Sequence, residues 1–197
     1  MKYKGASTAV LVMAYGGPDK IEDVEPYLLD VRNHRETPDH LIEEVRDRYK
    51  LIGGRSPILE RTQAQAEQLE HRLKALDARF QVFVGMRHWH PFLRQAVTEI
   101  NAAGFNRVVG IVMAPHYSRM SVEAYYERLD EAIESEQVEL EVSGIRSWNM
   151  APGYLSCLES RIQQGLEQFP EDRRSEVNLI FTAHSLPESI LRDGDPY

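Results

Sequence analysis

The sequence predicts an α/β fold, a doubly wound parallel sheet with helices on both faces, and three observations carry that expectation. Short apolar runs rich in β-branched residues recur along the chain, each ended by a turn or loop. Between them lie longer segments whose apolar residues return every three or four positions, the spacing of a helix face. Histidine, tyrosine and arginine gather just after the apolar runs, where an open sheet of this kind places its ligand sites.

Taken in order, Thr8–Ala14 reads as a buried strand ended by the turn residues Tyr15-Gly16-Gly17-Pro18. A helical face follows at Ile21, Val24, Leu28 and Val31, then a second, after Thr37-Pro38, at Leu41 or Ile42, Val45 and Tyr49. The loop Gly53-Gly54-Arg55-Ser56-Pro57 precedes a long helix carrying Leu59, Thr62, Ala66, Leu69, Leu73 and Leu76. Gln81–Val84 is the second expected strand, with Gly85 to Pro91 as the loop at its end. Leu93, Ala96, Val97 and Ile100 form a helix that should stop at Gly104. The third strand is Val108–Ala114, leading into Pro115-His116-Tyr117-Ser118 and a helix through Val122, Tyr126, Leu129 and Ile133. The acidic face of that helix, Glu123, Glu127, Asp130, Glu131 and Glu134, reads as a solvated surface. A shorter strand at Leu140–Ile145, a helix with Leu155, Leu158, Ile162, Leu166 and Phe169, and a fifth strand, Val177–Phe181, complete the pattern. Right-handed crossovers would then bring Tyr15, Arg87 and His88, His116 to Ser118, Trp148 and His184 to one edge of the sheet.

The totals fit a globular chain with a full core: 197 residues, 42% hydrophobic and 27% charged. A net charge of -8 and a pI near 5.4 argue against nucleic acid or an anionic membrane surface as partner. The single cysteine, Cys157, can form no internal disulfide, and no apolar stretch is long enough for a membrane span, so a cytoplasmic setting is the expectation. The pair Gly16-Gly17 is not the dinucleotide G-x-G-x-x-G pattern, and Gly53-Gly54 joins two helices instead of following a strand. No zinc spacing and no G-x-S-x-G elbow occur. A cleft of histidine and aromatic groups, with Arg32, Arg35, Arg46, Arg48 and Arg55 nearby, suits a flat apolar ligand that bears carboxylates. The plainer reading of those arginines is a solvated, salt-bridged helix surface.

Five segments in this order resemble the ferrochelatases, enzymes that insert ferrous iron into a porphyrin. They are Leu11 to Pro18, Asp47-Arg48-Tyr49 with Ile52 to Pro57, Gly85 to Trp89, Ala114 to Ser118, and Thr182 to Pro187. Tyr15 and the closing Gly194-Asp195-Pro196-Tyr197 are similar to the coproporphyrin III ferrochelatases of Gram-positive bacteria. The resemblance implies a chelatase-like fold, one of two similar domains, acting on coproporphyrin III and ferrous iron to give coproheme. It implies no prosthetic group, and a downstream haem-pathway enzyme as a further partner. By position, His184 matches the histidine that accepts pyrrole protons and binds iron. Tyr15 matches the tyrosine facing the metal from the other side, and His88 a histidine on the metal's route. Arg32, Arg48, Tyr49, Ser56 and Tyr125 match positions that hold propionates, and Tyr15 also contacts the macrocycle.

The resemblance also implies that residues 1–184 are the N-terminal chelatase domain and 185–197 the start of a connection to a second domain. The family's glutamate opposite the histidine has no matching position, so the expectation is a truncated form with little activity alone. Two other readings stay open at this point, a non-catalytic tetrapyrrole-binding module and a small chelatase completed by dimerisation.

Overall fold

The computed structural model describes residues 7–77 and 79–197. Four strands, β1 (Thr8–Ala14), β2 (Phe80–Met86), β3 (Arg107–Val112) and β4 (Glu141–Ile145), form a parallel sheet in the order β2-β1-β3-β4. The helices are α1 (Val24–Val31), α2 (Asp39–Leu51), α3 (Ile58–Leu76), α4 (Leu93–Ala102), α5 (Ala124–Glu136) and α6 (Pro152–Leu166). The chain divides into two compact units. The first holds the described residues up to Met113 with Ala124–Ile145, and the second Ala114–Glu123 with Arg146–Tyr197.

The first unit contains the whole sheet. Every residue of β1 from Ala9 to Ala14 is buried, and because strand side chains alternate, both faces of this central strand are covered. The chain steps from β1 to β2 on one side and then returns past β1 to β3. Right-handed crossovers therefore send α3 and α4 to opposite faces. On the α4 face, two glycines let helices approach the sheet: a Cβ at Gly85 would lie 2.7 Å from Leu93 of α4, and one at Gly110 would lie 3.1 Å from the Tyr126 ring of α5. Tyr126 spends its hydroxyl on the backbone there, donating to the carbonyl oxygens of Gly110 at 2.8 Å and Ile145 at 3.1 Å.

The expected boundaries hold closely for β1 and shift elsewhere. β2 runs through Met86, two residues past Val84, and β3 stops at Val112. The expected end of α4 is realised at Gly104, which has φ of 79°. Its N–H donates to Asn101 at 2.9 Å and that of Phe105 to Ile100 at 3.2 Å, a Schellman cap closed by Phe105 packing on Phe83. The buried side of α1 differs from the expected stripe, because Val24 and Tyr27 are its buried residues. Ile21 belongs to a preceding 3-10 turn, Ile21–Asp23.

One element is corrected. The fifth strand does not form: Val177–Phe181 has no strand pairing, and Ile180 and Phe181 are 86% and 77% exposed. His184 accordingly does not stand at a strand end, as the apolar run had suggested. The physical reason is that such a run is strand only when neighbouring backbones complete its hydrogen bonds and side chains cover it. Neither condition is met here. In this second unit α6 likewise buries none of its residues. Asp195 of this unit accepts hydrogen bonds from the Ser118 hydroxyl at 3.0 Å and the Arg119 N–H at 2.7 Å. Burial alone would raise the Asp195 pKa, but these bonds and that from the Tyr197 N–H hold it below the ordinary value.

Candidate functional site

Backbone pairing between the first two strands continues past their ends. The Arg87 N–H donates to Ala14 at 2.9 Å and the His88 N–H to Tyr15 at 2.9 Å. This extended ladder sets Tyr15 and His88 side by side, with ring centroids 4.5 Å apart and planes tilted by 55°. The chain can turn there because Gly16 has φ of 90°, and an added Cβ would stand 2.9 Å from the Trp89 nitrogen. Trp89 in turn donates its Nε1–H to Asp19 at 3.0 Å and meets the Tyr27 ring edge-on at 6.3 Å.

One helical turn beyond Tyr27, α1 carries Asp30. Its Oδ1 lies 2.7 Å from Nδ1 of His88, a residue only 3% exposed, and 3.4 Å from the Arg128 guanidinium of α5. Arg87 lies over the buried Tyr125 ring at 5.3 Å, and its Nε is closed off without a hydrogen-bond partner among the described residues. A cavity of about 620 Å³ opens beside Arg87 and Arg128 between α4 and α5, and Tyr15, Tyr49 and Ser56 do not line it. The Tyr49 and Ser56 hydroxyls stand together beside Gly17. Gly17 lies against Ser56, where an added Cβ would fall 2.5 Å from its Oγ.

Burial sets the protonation of these groups. It raises the Tyr15 phenol, an effect Arg87 partly offsets and Asp30 adds to. It also raises Tyr27, Tyr49 and Tyr125, so all four remain neutral hydroxyls at working pH, able to donate to a carboxylate. Burial pushes His88 below its ordinary value; its bond to Asp30 opposes this, while the Arg87 and Arg128 charges add to it. The sign of the stability effect follows. A base whose folded pKa lies below its unfolded value of about 6.5 leaves the unfolded chain binding the proton first as pH falls. Stability is therefore complete above about pH 6.5 and declines below it. Urea midpoints should fall on acidification through that window, with a shallower decline in His88→Gln. An equal decline in the variant would assign the effect to other groups.

The family model described as Ferrochelatase matches residues 7–197. The chain belongs to the ferrochelatase family. The ferrochelatase of Herpetosiphon aurantiacus is 39% identical over 193 residues, covering 98% of this chain and 63% of that protein. That of Deinococcus radiodurans is 39% identical over 188 residues, 95% of this chain and 60% of the relative. The coproporphyrin III ferrochelatase of Bacillus subtilis is 38% identical over 191 residues, 95% of this chain and 61% of the relative. The chain thus spans 60–63% of the length of these curated relatives.

Within this chain the first unit brings together Tyr15, His88, Tyr49, Ser56 and Tyr125 of the residues read from sequence. Arg32 is exposed just after α1. Arg48 is exposed and pairs with Glu44, one turn earlier on α2. Arg46 pairs with Glu25 and Glu43, and Arg55 with Glu60, as the plainer surface reading of these arginines anticipated. His184 belongs to the second unit, where it is exposed and its carbonyl accepts the Tyr197 hydroxyl at 3.2 Å. Asp30, Tyr27, Asp19 and Arg128 were absent from the sequence expectation. Tyr27 and Asp30 are three apart on one helix face, which was legible, but their partners lie about 60 positions further on. Among the described residues no group of three or more His, Cys, Asp or Glu could hold a metal ion, and no helix is long and apolar enough to cross a membrane.

Proposed function

We propose that the protein to which this chain belongs inserts ferrous iron into coproporphyrin III, giving coproheme, with no resident prosthetic group. The observation that supports this best is the pairing of Tyr15 with His88 beside the neutral hydroxyls of Tyr49 and Ser56, in a chain matched to the ferrochelatase family over residues 7–197. Coproporphyrin enters the reading because the Bacillus subtilis relative and others of similar identity are coproporphyrin III ferrochelatases.

Insertion exchanges two pyrrole protons for one divalent cation, so the site needs a base on the macrocycle and weak ligands that release the metal. His184 serves as the base and an iron ligand, Tyr15 as a metal-facing tyrosine, and His88 hands the metal inward. Arg32, Arg48, Tyr49, Ser56 and Tyr125 hold the propionates, and binding energy gained there can be spent on bending the ring so that its nitrogen lone pairs face the metal.

Anaerobic titration of the protein with coproporphyrin III and then Fe²⁺ tests this. The bands of the metal-free porphyrin should give way to those of the iron complex, faster than with protoporphyrin. Porphyrin that binds and stays metal-free would establish a binding module instead, and a preference for protoporphyrin would remove the coproporphyrin assignment.

A further inference from the structure

We infer that Asp30 is a positioning residue that fixes the tautomer of His88 and thereby presents its Nε2 as the free nitrogen beside Tyr15. The geometry is specific. Asp30 Oδ1 lies 2.7 Å from Nδ1 across 58 positions of sequence, in a site where His88 is 3% exposed. An ionised carboxylate only accepts hydrogen bonds, so Nδ1 must carry the proton in that contact. The remaining nitrogen, Nε2, makes no hydrogen bond to any described residue, and it is the atom left to hold a lone pair.

The arrangement is held from several sides. Arg128 of α5 approaches the same Asp30 oxygen at 3.4 Å, so the carboxylate is steadied by a cation from another element. The His88 N–H is tied to the Tyr15 carbonyl at 2.9 Å, and the two rings are 4.5 Å apart, which restricts rotation of the imidazole. A carboxylate behind a histidine also strengthens the far nitrogen as a ligand for a borderline cation such as Fe²⁺, by orienting the ring and supporting its charge. Asp30 touches neither metal nor porphyrin in this scheme and acts through His88. Its consequence for iron rests on the function proposed above; the tautomer does not.

Ring ¹⁵N resonances of His88 in the histidine-labelled protein read the tautomer directly. A pyrrole-type Nδ1 with a pyridine-type Nε2 is expected, and a protonated Nε2 with a bare Nδ1 in the unaltered protein overturns the inference without any variant. In Asp30→Asn the amide can donate to Nδ1, so the pattern should reverse, while Asp30→Glu should retain it. Titration with Co²⁺ in place of Fe²⁺ then reads the consequence. Asp30→Asn should weaken binding roughly 10–100-fold, Asp30→Glu should recover part of it, and in a His88→Ala background Asp30→Asn should add nothing. An equal further loss in that background shows that Asp30 does not act through His88. Failure of the functional reading would look different, with no porphyrin bound and no metal inserted while the ¹⁵N pattern stands.

Discussion

Replacing His184 with alanine should lower the rate of iron insertion roughly 10²- to 10⁴-fold, the range over which a positioned acid or base contributes, while coproporphyrin should still bind. The reaction dictates the size of the effect. Each of two pyrrole N–H bonds must give up its proton as the metal enters, and solvent is a poor acceptor at neutral pH against a positioned imidazole. Folding should be little affected, because His184 is exposed and what it contributes to local structure is its carbonyl, which accepts the Tyr197 hydroxyl and which alanine retains. Rate and porphyrin affinity measured separately on the variant decide the matter. A loss of affinity with unchanged turnover would make His184 a porphyrin contact, and full activity would remove it from the mechanism. Added imidazole should restore part of the lost rate if a missing base is the cause.

Gly16→Val should be strongly disruptive in the first unit, costing about 2–6 kcal/mol and with it the placement of Tyr15. Two penalties combine there. A β-branched residue at φ of 90° is strained by about 1–3 kcal/mol, and the new Cβ would stand 2.9 Å from the Trp89 backbone nitrogen, adding about 1–3 kcal/mol of overpacking. Trp89 cannot yield cheaply, since its indole is fixed by Asp19 and packed on Tyr27. Chemical denaturation should show a lowered midpoint with an unchanged slope, together with a loss of activity beyond what instability explains. Gly53→Ala is the comparison: that glycine also has positive φ, of 95°, but nothing lies within 4 Å of its Cβ, so backbone strain alone should appear. If the two variants are equally stable, the close approach to Trp89 is not a constraint.

The sheet was legible because its signals are local. β1 announced itself by an unbroken apolar run, α4 by its periodicity and by Gly104, and the turn after β1 by Gly16-Gly17-Pro18. Val177–Phe181 gave the same kind of signal and forms no strand, because an apolar run reports the wish to be buried and not the presence of a partner edge. In the same way Tyr15 and His88 could be placed at strand ends from the sequence, and the arginines of α2 could not be sorted from it. Arg46 and Arg48 look alike in the chain, which offered both a salt-bridged surface and a carboxylate-binding role for them, and only the fold names their glutamate partners.

By itself, then, the sequence determined the alternation of strands and helices, the family, and the residue types set after the first two strands. Those depend on side-chain character and on neighbours within a few positions, which the chain states outright. The tertiary structure alone decided that Asp30 stands behind His88 and that Arg87 lies on Tyr125. Hydrogen bonds and ring contacts form between groups that meet in space, and their partners here come from helices and strand ends separated by about 40 to 60 residues, a distance over which composition and periodicity carry no pairing information.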